Sequence, residues 1–268
     1  MILAYTAHFD GNAPPDNIAL LLHGILGSRR NWATMARRLS ERHSDWGFIA
    51  VDLRGHGESH GLDPLHTVEA CAADVEDLLF DLGLSAKAII GHSFGGKVAL
   101  ACAARFADPI EQVWCLDSSP SLMGTDTTAV VDRVIKAARG APQPVDHRLA
   151  MVPYFESRGF PRSIGAWMTT NLKRTADGFV WRFDLDVIEA LLDDYRELDF
   201  WAFLESEKRE SAVNWVLAGR SDWWQASAGD ALRQLRESTV HVLPNSGHWV
   251  HVDDPDGLLL VLDNLVHN

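Results

Sequence analysis

The sequence predicts an α/β protein whose mainly parallel central sheet is flanked by helices and interrupted by a mainly helical insertion. Short, continuously apolar runs alternate with longer amphipathic segments, which is typical of repeated strand–helix units. The alternation stops between Pro120 and about Ser211 and then resumes. The chain has 268 residues, of which 47% are apolar and 23% charged, so it is long enough for one large domain with a sizeable core.

The apolar runs predict strands, because each is too short and too continuous for a surface helix. Ile2–Phe9 is expected to be an N-terminal antiparallel strand. Buried strands are expected at Ile18–Leu22, Phe48–Val51, Ala88–Ile90, Val113–Leu116, Val213–Leu217 and Thr239–Leu243. Helices are expected at Trp32–Arg42, Thr67–Leu82, Gly95–Phe106, Ala226–Glu237 and Pro255–Val266, the last of which begins with a proline, as a first helical turn allows.

The region without alternation predicts an inserted cap. Residues 1–120 and 211–268 would form the core and residues 121–210 the cap. An irregular stretch with four prolines opens the region, no buried-strand run appears in it, and helical patterning follows through Asp186–Glu207. Its many aromatic residues are expected mainly to form the cap's own core, with the lining of a substrate pocket as the alternative.

Composition excludes several classes of protein. The net charge of −13 and the absence of any basic run argue against nucleic acid or an anionic membrane surface as partner. The N-terminus has no charged region followed by an apolar stretch, and no window approaches the roughly 18 apolar residues of a membrane span. We therefore expect a soluble, cytoplasmic protein. The three cysteines, Cys71, Cys102 and Cys115, are expected to be buried thiols without a metal or redox role.

A serine at G-x-S-x-G spacing is the first sign of chemistry. Ser93 lies between Gly91 and Gly95, directly after a predicted strand and before a predicted helix. At such an elbow the serine adopts a strained backbone conformation and the flanking positions must be small. The sequence therefore predicts Ser93 as a nucleophile.

Two further segments supply what a serine nucleophile requires. H-G-I-L-G-S follows the first parallel strand, and the backbone N–H groups of Ile25 and Phe94 fit the two donors of an oxyanion hole. A histidine must accept the serine proton. His248 follows the last predicted strand and is favoured as the base, whereas His251 is expected to be structural and His92 a packing residue.

In their order and separation, the motifs H-G-I-L-G-S, D-L-R-G-H-G-E-S, G-H-S-F-G-G-K and S-G-H-W-V-H resemble the α/β-hydrolase fold over essentially the whole chain. The G-G-K after the elbow, L-D-S-S-P at residues 116–120 and the G-H-W-V-H-x-D-x-P ending are similar to a subgroup of small serine acyl esterases from bacteria and mitochondria. The resemblance implies ester hydrolysis without a cofactor or metal. It also implies a structural loop, beside the site, for D-L-R-G-H-G-E-S.

Two aspartates compete to orient His248. Asp222 lies three residues beyond Gly219, which ends a predicted strand, and this is the usual acid position across the superfamily. Asp117 ends the preceding strand, from which the resembled subgroup takes its acid. That subgroup typically lacks an aspartate at the other position, and this chain has both. We favour Asp117, because the subgroup's motifs match on both sides of it, and keep Asp222 as the alternative.

The expected function is hydrolysis of small-molecule carboxylic esters through an acyl-enzyme. The same fold and residue types also serve cofactor-free haloperoxidases, C–C hydrolases and lyases, and a ligand sensor without turnover is a further alternative. A halide-displacing dehalogenase would need an aspartate where Ser93 stands. Trp223, Trp224 and Trp249 suggest an apolar acyl or aromatic pocket near the site, with a tryptophan-rich core as the alternative. The natural substrate, the acyl chain length and the oligomeric state are not determined by the sequence.

Overall fold

A computed structural model of the chain describes residues 2–11, 13–221 and 226–266. The strands within them are β1 (Tyr5–His8), β2 (Asn17–Leu22), β3 (Trp46–Val51), β4 (Ala88–His92), β5 (Gln112–Leu116), β6 (Leu172–Thr175), β7 (Gly178–Trp181), β8 (Ala212–Ala218) and β9 (Ser238–Leu243). Seven of these form one sheet in the order β1-β3-β2-β4-β5-β8-β9, in which only the β1–β3 pairing is antiparallel. The predicted fold class is confirmed.

The helices of the described residues lie between these strands. They are α1 (Ala33–Arg42), α2 (Val68–Leu82), α3 (Phe94–Arg105), α4 (Thr125–Arg139), α5 (Met151–Glu156), α6 (Arg162–Thr170), α7 (Leu185–Glu197), α8 (Trp201–Glu205), α9 (Ala226–Gln234), α10 (Val250–Asp253) and α11 (Pro255–Leu262). In the described part of the chain, no helix is both long and apolar enough to cross a membrane.

The central strands are apolar throughout because both faces of the sheet are covered. Along β2, Leu20 and Leu22 point into the core shared with α2 and α3, whereas Ala19 and Leu21 point into the core shared with α1 and α11. Successive side chains of a strand point to opposite faces, so a strand covered on both sides needs apolar residues at every position. The three cysteines are buried free thiols, as expected.

Local signals set several helix ends. The Thr67 side chain accepts the Ala70 N–H at the start of α2, and Gly83 ends that helix in the left-handed conformation. The Asp254 side chain accepts the Gly257 N–H at the start of α11, with Pro255 in the first turn. Each predicted helix of the core is present within a few residues of its expected bounds, which is the usual uncertainty of helix ends.

The segment between β5 and β8 is more regular than the sequence indicates. The expected irregular stretch contains α4, α5 and α6, and β6 and β7 form an antiparallel hairpin that was not predicted. Helix α4 has no side-chain cap and carries adjacent β-branched residues, which weakens its local signal. It is held instead by tertiary burial of Val134, Ile135 and Ala138. Most aromatic side chains here are buried, but in one cluster with residues of the sheet, α2 and α3, and not in a separate core of this segment.

Helix α3 begins directly at the end of β4 and packs unusually closely on the sheet. A Cβ atom at Gly91 would lie 2.0 Å from the Gly95 carbonyl oxygen, and one at Gly95 would lie 2.6 Å from the carbonyl oxygen of Leu22 in β2. The prediction that these positions must be small is confirmed. At Gly95, however, the constraint comes from the neighbouring strand and not from Gly91.

We expect Gly91→Ala to lower the free energy of unfolding by more than about 3 kcal/mol, since the new methyl group meets backbone that cannot move aside. The matched control is Gly229→Ala in α9, where the new Cβ would lie at least 3.4 Å from its neighbours. That variant should be neutral or more stable by up to about 1 kcal/mol. Urea denaturation measures both, and equal effects of the two substitutions would contradict the packing argument.

Candidate active site

Ser93 occupies the sharp turn between β4 and α3. Its backbone has φ 52° and ψ −118°, a conformation that non-glycine residues rarely adopt. The Ser93 N–H donates to the Leu116 carbonyl oxygen of the neighbouring strand at 2.9 Å, which fixes the turn against β5. The side chain is 5% exposed and lines a cavity.

His248 and Asp117 continue from the serine in one chain of hydrogen bonds. The Ser93 hydroxyl lies 3.1 Å from His248 Nε2, and His248 Nδ1 lies 2.7 Å from Asp117 Oδ2. Because a carboxylate can only accept, Nδ1 carries the imidazole proton, so Nε2 is left as the acceptor for the hydroxyl. The structure therefore brings three of the residues singled out from the sequence together in the order expected of a catalytic triad.

Asp117 is anchored independently of the histidine. Its carboxylate is fully buried; Oδ1 accepts the Ala218 N–H at 3.1 Å and Oδ2 accepts the Ser221 hydroxyl at 2.9 Å. Its backbone has φ 44°, and its own N–H donates to Val216 in β8. These bonds hold the carboxylate toward the histidine. Asp222, the alternative acid, lies outside the described residues, as do Trp223 and Trp224.

The turn after β2 lies beside the serine. The Gly27 N–H donates to the Gly24 carbonyl oxygen at 2.9 Å, and Leu26 adopts a φ of 58°. In the part of the chain that the structure describes, the Ile25 N–H has no hydrogen-bond acceptor, and Phe94 opens α3, where N–H groups have no acceptor within the helix. Both residues line the same cavity as Ser93.

Two buried histidines hold this turn in place. His56 Nε2 accepts the Leu26 N–H at 3.1 Å, and His23 Nε2 accepts the Leu53 N–H at 3.1 Å. The two rings lie edge to face with centroids 4.7 Å apart. His56 belongs to the D-L-R-G-H-G-E-S motif, for which a structural role beside the site was expected. The sequence pattern does not reveal that this histidine supports the candidate oxyanion turn, since the contact spans 30 residues.

Burial keeps both histidines neutral. It lowers the pKa of His23 to about 4 and that of His56 to about 3, and the proximity of the two rings lowers the latter further. Each Nδ1 donates its proton to a backbone carbonyl oxygen, Gly24 for His23 and Arg54 for His56. Only the neutral tautomer leaves Nε2 as an acceptor, so the turn depends on both rings staying unprotonated.

The two other histidines near the site pack around His248. His92 Nε2 donates to the His248 carbonyl oxygen at 2.7 Å, and the two rings are 4.8 Å apart. His251 stacks on Trp32 at 5.3 Å, and burial lowers its pKa to about 4. Neither histidine makes a side-chain hydrogen bond to Ser93 among the described contacts. Their geometry is that of packing and hydrogen-bonding residues, as the sequence suggested.

The serine faces a cavity of about 220 Å³ between the sheet edge and the segment 121–210. Apolar side chains of that segment line much of it, including Val130, Val131, Val134, Ile164, Trp167 and Leu192. Trp249 also lines it, with its ring 5.6 Å from that of Trp167. Among the described residues, no group of three or more His, Cys, Asp or Glu side chains is arranged to hold a metal ion.

A family model for alpha/beta hydrolases matches residues 19–259 of the chain. The chain belongs to the α/β-hydrolase family. This hydrolase is 30% identical over 257 residues to the mouse (Mus musculus) sn-1-specific diacylglycerol lipase ABHD11, covering 93% of this chain and 80% of that protein. It is 28% identical over 261 residues to esterase YbfF of Escherichia coli K12, covering 96% and 95%.

A solved structure of a marine microorganism esterase has the same fold. It superimposes with a TM-score of 0.85 at 20% sequence identity and covers 98% of each chain. At this identity the likeness concerns the fold of the hydrolase alone.

The depressed histidine pKa values predict a loss of stability in mild acid. The unfolded state takes up protons near pH 6.5, whereas buried His56 resists protonation down to about pH 3. The free energy of unfolding should therefore fall as the pH drops from about 6.5 toward 4, by up to about 1.4 kcal/mol per pH unit for each such histidine. Urea denaturation between pH 7.5 and 4.5 measures this slope. His56→Gln should be less stable at pH 7.5 but show a shallower slope, and equal slopes would contradict the assignment.

Proposed function

We propose that this hydrolase cleaves carboxylic esters through a covalent acyl-enzyme formed on Ser93. The observation that carries the proposal is the chain from the Ser93 hydroxyl through His248 to the buried carboxylate of Asp117, at 3.1 and 2.7 Å. A serine becomes a nucleophile only when a correctly oriented base removes its proton. The names of the mouse and E. coli relatives, a lipase and an esterase, support the same reaction class.

The proposed reaction assigns a residue to each step. The Ser93 oxygen attacks the ester carbonyl carbon while His248 Nε2 takes the hydroxyl proton. The negative oxygen that forms is held by the N–H groups of Ile25 and Phe94. His248 returns its proton to the departing alkoxide, releasing the alcohol and leaving the acyl group on Ser93. A water molecule, deprotonated by the same histidine, then attacks the acyl carbonyl carbon. The bond to Ser93 breaks, His248 returns the proton to the Ser93 oxygen, and the carboxylic acid is released.

Asp117 is the proposed third member of the triad. Its contact with Nδ1 keeps the proton on the nitrogen that faces away from Ser93 and stabilises the imidazolium formed during the reaction. The Ala218 N–H and the Ser221 hydroxyl lower the cost of keeping this carboxylate buried and charged. This position agrees with the acid of the small acyl esterases that the sequence resembles.

The segment 121–210 is proposed to act as a cap that binds the acyl chain. It contributes apolar side chains from α4, α6 and α7 to the cavity wall, as Val131, Ile164 and Leu192 illustrate. An apolar wall of this kind gains free energy from each methylene group it removes from water, about 0.8 kcal/mol per group. The proposed substrates are therefore small-molecule esters with an apolar acyl chain.

Replacing the nucleophile should abolish turnover without unfolding the protein. We expect Ser93→Ala to lower kcat for p-nitrophenyl butyrate by at least about 10⁴-fold and to prevent labelling by a fluorophosphonate probe. The control is Ser85→Ala, an exposed serine outside the cavity, which should keep wild-type activity and labelling. Substantial hydrolysis by purified Ser93→Ala would refute the assignment.

The same assay separates the alternative functions. An inert serine in the wild-type protein, with no labelling and no ester turnover, would favour a ligand sensor. Bromination in the presence of bromide and peroxide, without ester hydrolysis, would favour a haloperoxidase. Ester hydrolysis without bromination supports the proposed function.

Asparagine substitutions decide between the two aspartates. Asp117→Asn should lower kcat about 10⁴-fold, because an amide at this position favours the wrong tautomer of His248. Asp222→Asn should have a much smaller effect. Steady-state kinetics of both variants on one ester measures this, with circular dichroism to verify folding. The reverse order of effects would move the acid to Asp222, and two small effects would mean that neither acts alone.

A further inference from the structure

Lys97 is a fully buried lysine that the proposed mechanism does not use. It lies in α3, four residues after Ser93, within the G-G-K sequence that follows the elbow. Its ammonium group donates three hydrogen bonds, each 2.8 Å long, to the carbonyl oxygens of Ser121, Tyr195 and Leu198. These bonds use all three of its donors. The ammonium also lies 4.4 Å from the centroid of the Tyr195 ring.

The ammonium is bound directly by backbone carbonyl groups. All three direct partners are neutral carbonyl groups, and within the described residues no carboxylate is in ion-pair contact with the ammonium. Tyr195 and Leu198 stand at the carboxyl end of α7, where unpaired carbonyl groups form the negative end of the helix dipole. Burying a cation without a paired anion is costly, and a residue needed only for packing would be apolar. The arrangement therefore indicates that the three hydrogen bonds themselves matter.

The three carbonyl groups belong to two segments that meet beside α3, which we call the neck: residues 120–123, which follow β5, and residues 195–200, which span the end of α7 and the link to α8. These segments bind each other: the Met123 N–H donates to the Arg196 carbonyl oxygen and the Phe200 N–H to the Pro120 carbonyl oxygen, each at 3.0 Å. Lys97 attaches both of them to the helix that starts at Ser93. Among the described contacts, Lys97 is thus the one charged side chain of α3 that binds the neck.

The neck lies next to the apolar wall over the serine. Helix α7, whose end Lys97 holds, carries Leu192 and Tyr195 on the cavity, and α4, which follows the other neck segment, carries Val131. Asp117 has separate anchors in Ala218 and Ser221 and does not depend on this lysine. A loosened neck would therefore change the acyl-binding wall and leave the triad in place.

We propose that Lys97 is a positioning residue that locks the cap over Ser93 and thereby determines the preference for long apolar acyl chains. The inference rests on the proposed esterase function and extends it to specificity. The proposed role predicts different effects on two classes of ester. An ester with a short acyl group uses only the triad and the oxyanion turn, whereas one with a long acyl chain also contacts the apolar wall.

The test compares p-nitrophenyl acetate with p-nitrophenyl octanoate in Lys97→Met. We expect kcat/KM for octanoate to fall at least about tenfold, mainly through KM, while kcat/KM for acetate stays within about threefold of wild type. The matched control is Cys102→Ala, a buried truncation in the same helix that touches neither the neck nor the cavity. It should lower stability and leave the octanoate-to-acetate ratio unchanged.

Equal losses for both esters, no change in either, or the same shift in Cys102→Ala would overturn the proposal. A wild-type protein that hydrolyses neither ester contradicts the proposed function instead. In that case limited proteolysis tests the locking role. A protease should cleave Lys97→Met within residues 121–210 faster than it cleaves Cys102→Ala. Equal cleavage rates would overturn the locking role.

The wild-type protein provides a second test if Lys97→Met does not fold. Burial lowers the pKa of Lys97 to about 8, opposed by the charges of Asp194 and Asp199 at the end of α7. The Tyr195 phenol also lies beside Lys97, and burial raises the pKa of that phenol. A neutral amine has only two donors, so the octanoate-to-acetate ratio should fall as the pH rises from 7 to 9.5. The ratio cancels the titration of the triad, which both esters use. A ratio that stays constant across the pH range in which Lys97 loses its proton would overturn the proposal.

Discussion

The close approach of α3 to the central sheet is the constraint on which the rest of the site depends. The helix can start directly at the end of β4 only because Gly91 and Gly95 leave room for backbone, at distances that no Cβ atom tolerates. A Cβ at Gly96 would likewise lie 2.4 Å from that of Ser118, beside Asp117. The strained turn at Ser93, the position of the Phe94 N–H at the start of α3 and the position of the carboxylate all follow from this contact.

The polar part of the site works through groups whose protonation is fixed by their surroundings. His248 carries its proton on Nδ1 because the Asp117 carboxylate accepts that hydrogen bond. His56 carries its proton on Nδ1 because the backbone carbonyl oxygen of Arg54 accepts it. Deep burial keeps His56 neutral, and a neutral ring is what the turn beside Ser93 requires. The same physical effect, desolvation, thus supports the structure of the candidate oxyanion hole at a cost in acid stability.

The proposed cap is attached to this framework differently from the way the core strands are attached to each other. Parallel strands share many hydrogen bonds, whereas the hydrogen bonds that join the neck to α3 among the described residues are the three of one lysine. The Tyr195 ring also packs against that of Phe94, and Asp194 in α7 accepts the Val68 N–H at the start of α2. The specificity of the proposed esterase therefore depends on contacts of the neck that its chemistry does not use.

Much of the fold was predictable because its signals are local. Runs such as Ile18–Leu22 and the capping residues Thr67 and Gly83 act over a few positions, and the structure has the corresponding strand and helix. Helix α4 and the β6–β7 hairpin escaped prediction because burial against distant residues stabilises them more than their own propensities do.

The sequence by itself determined the fold class, the family resemblance and the candidate roles of Ser93 and His248, since motif order and short spacing carry that information. Only the tertiary structure placed Asp117 against His248, across 131 residues, and joined His56 to the turn at Leu26 and Lys97 to both neck segments. Hydrogen bonds of this kind link atoms at the carboxyl edge of the sheet and its attached segments, where chain folding, and not sequence spacing, sets the distances.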